Sequence, residues 1–163
     1  MARIYRVPFA GTLTNAGGDS DLFEILPGDD KPCKIVGMKL GQTSEVADAA
    51  EEGLRISIIH MNATVTSGSG GSSVTPVKNV PVVDPAAAFT AEINNTTIAT
   101  TSGTSTTMEE ISWNIRQSPS ETWWFDADLQ PGAVQTEALI VRCQTTPADD
   151  ISITGTLFVL ELP

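Results

Sequence analysis

An antiparallel β-sandwich is the fold this chain predicts, and three features predict it. Apolar residues recur at every second position in several windows, turn-forming residues recur between those windows, and helical spacing is scarce. A jelly roll is one form that such a double sheet takes. At 163 residues the chain suits one domain with a single substantial core and is short for two. Residues 1–163 are therefore read as one all-β domain with long loops.

The first expected strand runs from Arg3 to Phe9, followed by Leu22 to Leu26 and Cys33 to Leu40. The clearest alternation comes next: Leu54, Ile56 and Ile58 interleave with Arg55 and Ser57, a spacing that turns one set of side chains to each face of a strand. Phe89 to Ile98 is a further candidate. Ile111, Trp113 and Ile115 interleave with Ser112, Asn114 and Arg116, and Leu139, Val141 and Cys143 with Ile140 and Arg142. The last expected strand is Ile151 to Leu162, with Gly155 read as a bulge that shifts which face is buried.

Turn clusters separate these runs: Asn15-Ala16-Gly17-Gly18-Asp19, Pro27-Gly28-Asp29-Asp30, Gln130-Pro131-Gly132 and Thr146-Pro147-Ala148-Asp149-Asp150. Ser44 to Glu52 offers a serine cap followed by Ala, Asp and Glu, but it is short and lacks a broad apolar face. It reads as an ordered loop or one helical turn. Residues 64–73 are almost only Thr, Ser and Gly after Val65, with little to bury, and predict a mobile loop. Asn94 to Thr107 is rich in threonine, which favours extended structure, and suggests two hairpin strands.

Nine basic against twenty acidic residues give a formal charge of -11, with a pI near 4.3. That field repels phosphate backbones at long range, so no nucleic-acid partner is expected. A mean hydropathy of +0.02 and a 40% hydrophobic share are too apolar for a wholly disordered chain. No stretch approaches the ~20 apolar residues of a bilayer-spanning helix, so no membrane partner is expected either. Met1 to Ala10 interleaves Arg3 and Arg6 with apolar residues and does not build a secretory signal, so export by that route is not expected. Cys33 and Cys143 lie far apart, outside any Cys-x-x-Cys pair, among apolar neighbours. Both are expected to be buried and reduced.

A catalytic reading finds little to hold. His60 is the single histidine, continues the Leu54 strand, and has no Gly-x-Ser-x-Gly elbow to serve. One imidazole also argues against a cupin-type metal centre. Carboxylates adjoin at Asp19 and Asp21, Asp29 and Asp30, Glu51 and Glu52, Glu109 and Glu110, Asp126 and Asp128, and Asp149 and Asp150. None has the spacing of a twelve-residue calcium loop, and acidic turn residues ordinarily bond nearby backbone amides. Ser67-Gly68-Ser69-Gly70-Gly71 lacks the lysine and hydroxyl ending of a phosphate loop. The chain is therefore read as no enzyme, with no catalytic, cofactor-binding or metal-binding residues and no cofactor.

Trp123-Trp124-Phe125 is the most unusual apolar feature. Consecutive strand positions point to opposite faces, so the three rings cannot all enter one core, and at least one should face outwards. That ring could be a rim residue under a loop, a subunit-interface anchor or a sugar-stacking platform.

Tyr5-Arg6-Val7-Pro8-Phe9, Asp21-Leu22-Phe23-Glu24-Ile25 leading into Lys31-Pro32, and Gly37 to Gln42 resemble a group of small tailed-bacteriophage virion proteins of the capsid decoration, or cement, type. The resemblance continues through Leu54 to Ile59, Thr66 to Ser73, Phe89-Thr90-Ala91-Glu92 with Asn94-Asn95-Thr96-Thr97, and Gly155-Thr156-Leu157. It implies a virion structural protein on the outer surface of the head, made in the bacterial host cytoplasm, with the major capsid protein as partner. It also implies a homotrimer or other homo-oligomer. Arg3, Tyr5 and Arg6, positive within a negative chain, are the candidate docking edge, and Trp123, Trp124 and Phe125 the candidate interface cluster. A tail or fibre module that binds carbohydrate is the alternative, and a small β-fold enzyme the third class.

Overall fold

The computed structural model describes residues 1–44 and 52–163. The loop or turn expected over Ser44 to Glu52 falls, but for its two end residues, outside the described residues. Every regular element among the described residues is a strand. They are β1 (Arg3–Leu13), β2 (Ser20–Leu26), β3 (Cys33–Gln42), β4 (Gly53–Met61), β5 (Val65–Thr66), β6 (Ser72–Val74) and β7 (Val77–Lys78), then β8 (Thr90–Asn95), β9 (Thr100–Thr101), β10 (Ser105–Asn114), β11 (Ser120–Trp124), β12 (Gly132–Ala133), β13 (Ala138–Cys143) and β14 (Ile151–Glu161). The fold is all-β and each strand candidate has its counterpart, but the two hairpin strands expected over Asn94 to Thr107 do not pair with each other: β8 lies on β2 and β6, β9 on β5 and β10 on β4.

Two six-stranded antiparallel sheets carry the architecture. Sheet one runs β11-β3-β14-β1-β7, with β12 also on β3; sheet two runs β10-β4-β13-β2-β8-β6. Their inner faces supply one continuous core. Tyr5, Val7 and Phe9 of β1 and Leu157 and Val159 of β14 meet Phe23, Ile25, Ile56, Ile58, Leu139 and Val141 of sheet two. Most of these side chains are fully buried, and each such burial favours folding by roughly 1.5–3 kcal/mol before entropy is charged against it.

Along the chain, β1, β2, β3 and β4 fall alternately in sheets one and two. β4 and β10 are neighbours within sheet two, after which β11, β13 and β14 alternate between the sheets again. With the strands between β4 and β10 and the two-residue β12 set aside, the remaining eight are ordered β1-β14-β3-β11 in one sheet and β2-β13-β4-β10 in the other.

Three bulges hide part of this from a period-two reading. Leu22 in β2, Val36 in β3 and Met108 in β10 are each an extra residue skipped by the partner's register. In β3 the inward set accordingly changes from Cys33 and Ile35 to Met38 and Leu40. The bulge expected at Gly155 is not there. Gly155 pairs in register with Phe9 on one side and Leu40 on the other, and Ile151, Ile153, Leu157 and Val159 keep one parity throughout. Its glycine serves close packing instead: a Cβ would lie 2.4 Å from the Lys39 carbonyl oxygen.

Residues 62–104, between β4 and β10, form an insertion with its own task. Its β6 and β8 widen sheet two, β7 widens sheet one, and β5 pairs with β9 as a separate ribbon. A second small core, Ile59, Met61, Ala99, Ala138 and Ile140 with Leu26 and Val65, lies where this insertion covers the outer side of sheet two. Beneath it Arg142 donates to both oxygens of Asp21, at 2.5 and 3.1 Å, and to the Ala99 carbonyl at 3.1 Å, while the Ala99 amide donates to Asp21 at 2.7 Å.

The 64–73 segment, expected to have nothing holding it, is anchored in the structure. Ser67 Oγ donates to Glu24 Oε1 at 2.5 Å and the Gly68 amide to Glu24 Oε2 at 3.0 Å, while Asn95 Nδ2 reaches Glu24 Oε2 at 3.1 Å and Glu92 Oε2 at 3.0 Å. Its glycines follow from that proximity. A Cβ on Gly68 would stand 2.6 Å from the Thr97 carbonyl oxygen, and Gly70 has a φ of 86°.

Candidate functional site: the open face of sheet one

The insertion covers part of the outer side of sheet two, over Ile59, Met61, Ala138 and Ile140; among the described residues nothing comparable covers sheet one, where Trp124 and Ile4 are exposed. Strand register sets the outward residues of sheet one in rows, and three of these carry charge. Trp124, Gly37, Phe158, Arg6 and Val77 stand side by side across β11, β3, β14, β1 and β7. Thr122, Lys39, Thr156 and Pro8 form the row on one side, and Gly132, Lys34, Leu160 and Ile4 the row on the other. Each row carries one cation, Arg6, Lys39 or Lys34, and none carries a carboxylate. The rest of the chain sets six basic groups against twenty acidic ones.

The central row has a defined geometry. Trp124, 59% exposed, lies against Phe158 with ring centroids 4.8 Å apart and planes tilted by 38°. Gly37 lets it lie flat, since a Cβ there would come within 2.3 Å of the indole and 2.6 Å of the Trp123 carbonyl oxygen. Lys39 Nζ sits 5.9 Å from the Phe158 ring centre, adding a cation to the aromatic pair. An apolar centre with cationic flanks suits contact with a protein surface of opposite charge.

The six candidate interface residues divide between the two faces. Arg6 and Trp124 stand in the same outer row. Tyr5 is a correction: it is fully buried, packs edge-on to Phe89 at 5.7 Å and donates its hydroxyl to the Pro85 carbonyl at 3.3 Å. Burial, reinforced by Glu161, pushes its hydroxyl above the ordinary tyrosine pKa. Arg3 shares the inward parity and pairs with Asp84 at 3.5 Å. Trp123 and Phe125 are half-buried against the core, Trp123 edge-on to Trp113 at 6.4 Å. The docking edge proposed at Arg3, Tyr5 and Arg6 needed a free strand edge, and β7 pairs with β1 at Tyr5 and Arg6. Strand addition there is closed.

Ile4, Lys34, Lys39, Phe158 and Leu160 belong to the open face and were missed from sequence. A signal existed: Phe158 and Leu160 have the opposite parity to Leu157 and Val159, which places two large apolar side chains outside.

Other polar groups serve the fold. His60 Nε2 lies 3.0 Å from Glu137 Oε2, and the Val134 amide donates to the same oxygen at 2.9 Å. Burial opposes the charged form of Glu137, but these bonds outweigh it and hold the carboxyl below its ordinary pKa. Cys33 and Cys143 are free and buried; burial raises their thiols to about 12 and about 11. Among the described residues no three His, Cys, Asp or Glu side chains converge. A cleft of about 430 Å³ is lined by Trp113, Trp123, Asn114, Gln117 and Glu121.

No family model and no curated protein matches the chain. Among solved structures it is similar to the VP2 protein of infectious bursal disease virus in derived T=1 particles. The identity is 13% and the TM-score 0.22, over 99% of this chain and 40% of that one. A structure of the Gx strain of the same virus gives 14% identity and a TM-score of 0.19, over 99% and 42%. The chain thus spans about 40% of the length of these proteins, and likeness at this level carries no functional argument.

Proposed function

We propose that the chain is a jelly roll serving as a structural protein of a phage virion, of the capsid decoration type. The jelly-roll reading is supported by the order of the eight strands left when those between β4 and β10 and the short β12 are set aside, first-eighth-third-sixth in one sheet and second-seventh-fourth-fifth in the other, an order with two Greek keys. The observation that carries the function is the asymmetry between the two outer faces. The insertion covers Ile59, Met61, Ala138 and Ile140 on the outer side of sheet two, whereas Trp124 and Ile4 stand exposed beside Phe158 on sheet one with Arg6, Lys34 and Lys39 around them. In this reading the open face docks on the major capsid protein at the outside of the assembled head. No chemistry is needed: a module that binds several neighbouring subunits at once favours the shell over separated subunits by mass action.

The test compares otherwise identical particles with and without the protein. Heads should carry it in many copies by mass spectrometry and resist heat better for it. Absence from heads, or copies confined to the tail tip, would overturn the reading. The cleft beside Trp123 favours a second one, a carbohydrate-binding tail or fibre module, because an indole beside Asn114, Gln117 and Glu121 matches the stacking and hydrogen bonding a sugar needs. Saturable glycan binding abolished by Trp123→Ala would favour it.

A further inference from the structure

Glu24 and Glu92 stand directly opposite each other on β2 and β8. Glu24 is fully buried and Glu92 half-buried. Among the described residues the ion pairs join Arg3 to Asp84, Arg55 to Glu110, His60 to Glu137 and Arg142 to Asp21, so neither of the two facing carboxylates has a basic partner. Like charges opposite each other on neighbouring strands destabilise the pairing, and a buried charge is ordinarily paired or bound to a metal. The hydrogen bonds from Ser67, Gly68 and Asn95 solvate this pair without neutralising it.

Asn95 supplies an independent observation. It is 1% exposed, and its Nδ2 bridges Glu24 Oε2 at 3.1 Å and Glu92 Oε2 at 3.0 Å, while its Oδ1 is buried and has no hydrogen-bond donor. The oxygen and nitrogen of the amide are alike in size, so a half-turn about the Cβ–Cγ bond carries Oδ1 to the place of Nδ2, beside both carboxylates. Three oxygens so placed repel one another on their own. Around a calcium ion with bonds of about 2.4 Å, however, adjacent ligand oxygens lie about 2.8–3.4 Å apart, which is the spacing found here.

We propose that Glu24, Glu92, Asn95 and Ser67 form a calcium site, with the Asn95 amide turned so that Oδ1 faces the ion. Ser67 Oγ is placed to join them, 2.5 Å from Glu24 Oε1 and 3.4 Å from Glu92 Oε2. A cavity of about 440 Å³ with Ser67 and Glu92 on its wall gives the ion a way in and leaves room for water to complete its shell. Calcium suits this set better than magnesium, because it accepts irregular arrangements of carboxylate, amide and hydroxyl oxygens, whereas magnesium requires a near-ideal octahedron. Bound there, the ion neutralises the facing carboxylates and fastens the 64–73 segment to β2 and β8. Glu24 lies far from Ser67, Glu92 and Asn95 in sequence, so no loop spacing announces the set.

Calorimetric titration of the intact protein with calcium chloride tests this. Two carboxylates predict a modest affinity, a Kd of about 0.1–1 mM, with one ion per chain. Glu92→Gln keeps the shape of the more accessible ligand and removes its charge, and it should weaken binding by about tenfold or more with unchanged circular dichroism. Asp149→Asn, which removes an exposed carboxylate elsewhere, should bind as wild type does. Calcium should also shift the Asn95 side-chain amide resonances in NMR spectra, because the turned amide gives up both carboxylate acceptors. No saturable binding at about ten times the upper end of that range, wild-type affinity in Glu92→Gln, or Asn95 resonances unmoved by calcium overturns the inference. It stands apart from docking on heads, which mass spectrometry of particles decides.

Discussion

Gly37 shows how much one absent side chain can decide. Its missing Cβ leaves room for both the Trp124 indole and the Trp123 carbonyl, so Gly37→Ala must move a backbone as well as a ring. The expected cost is about 1–3 kcal/mol in denaturant unfolding. Trp124→Ala added to it should relieve only the ring clash, and a double-mutant cycle will separate the two parts. If Gly37→Ala is neutral, the indole does not lie on that glycine. Glu137 gives a pH prediction. Its folded pKa is depressed, so its contribution is present above the ordinary carboxylate pKa and lost as pH falls through the lower folded value. Glu137→Gln should therefore flatten the acid limb of stability against pH. An unchanged limb would show that the contacts with His60 and Val134 favour neither protonation state. Residue-level reading from sequence worked for Trp124, because three consecutive rings cannot share a core. It failed for Tyr5, although Tyr5, Val7 and Phe9 alternate with Arg6 and Pro8, because the local positive charge of Arg3 and Arg6 drew the whole stretch to the surface.

At the scale of elements, strands were legible wherever one face is buried and period two survives, as in β4 and β13. Register was not. The bulges at Leu22, Val36 and Met108 exchange faces within a strand, and nothing in Leu22-Phe23 or Ile35-Val36 distinguishes an extra residue from a doubly buried run. The open face was hidden for the same reason, since Phe158 and Leu160 read as part of a continuous apolar strand. The contacts of the 64–73 segment were hidden in another way. Composition reports what a segment can bury, but not what an outside residue can donate to it or accept from it. The partner here is Glu24, which lies 43 positions from Ser67 in sequence. NMR order parameters for Ser67 to Gly71 should match those of β8, and Glu24→Ala should lower them and cost about 1–3 kcal/mol by stranding the Gly68 amide and taking one of the two acceptors of Asn95 Nδ2. Low order parameters in the wild type would show that the Glu24 contacts do not restrain the segment.

On the scale of the whole molecule, the first and last strands are partners along their entire length, from Arg3 with Glu161 to Leu13 with Ile151. β14 lies between β1 and β3 in sheet one, so the centre of that sheet is made after the strands that flank it. Nearly every sheet pairing is likewise remote in sequence, and the loop-closure entropy of each must be met before its contacts return anything. Folding should therefore be slow for the chain's size, in the range of about milliseconds to seconds, and it cannot finish before residues 151–161 are available. Removing those residues would also uncover Tyr5, Val7 and Phe9 on one side and Met38 and Leu40 on the other, along two unpaired strand edges that invite aggregation. A chain ending at Asp150 should show no cooperative unfolding transition and should regain one when a peptide of residues 151–163 is supplied in trans. If the truncated chain unfolds cooperatively by itself, sheet two with its insertion is an independent folding unit, and β14 completes the sandwich without deciding it.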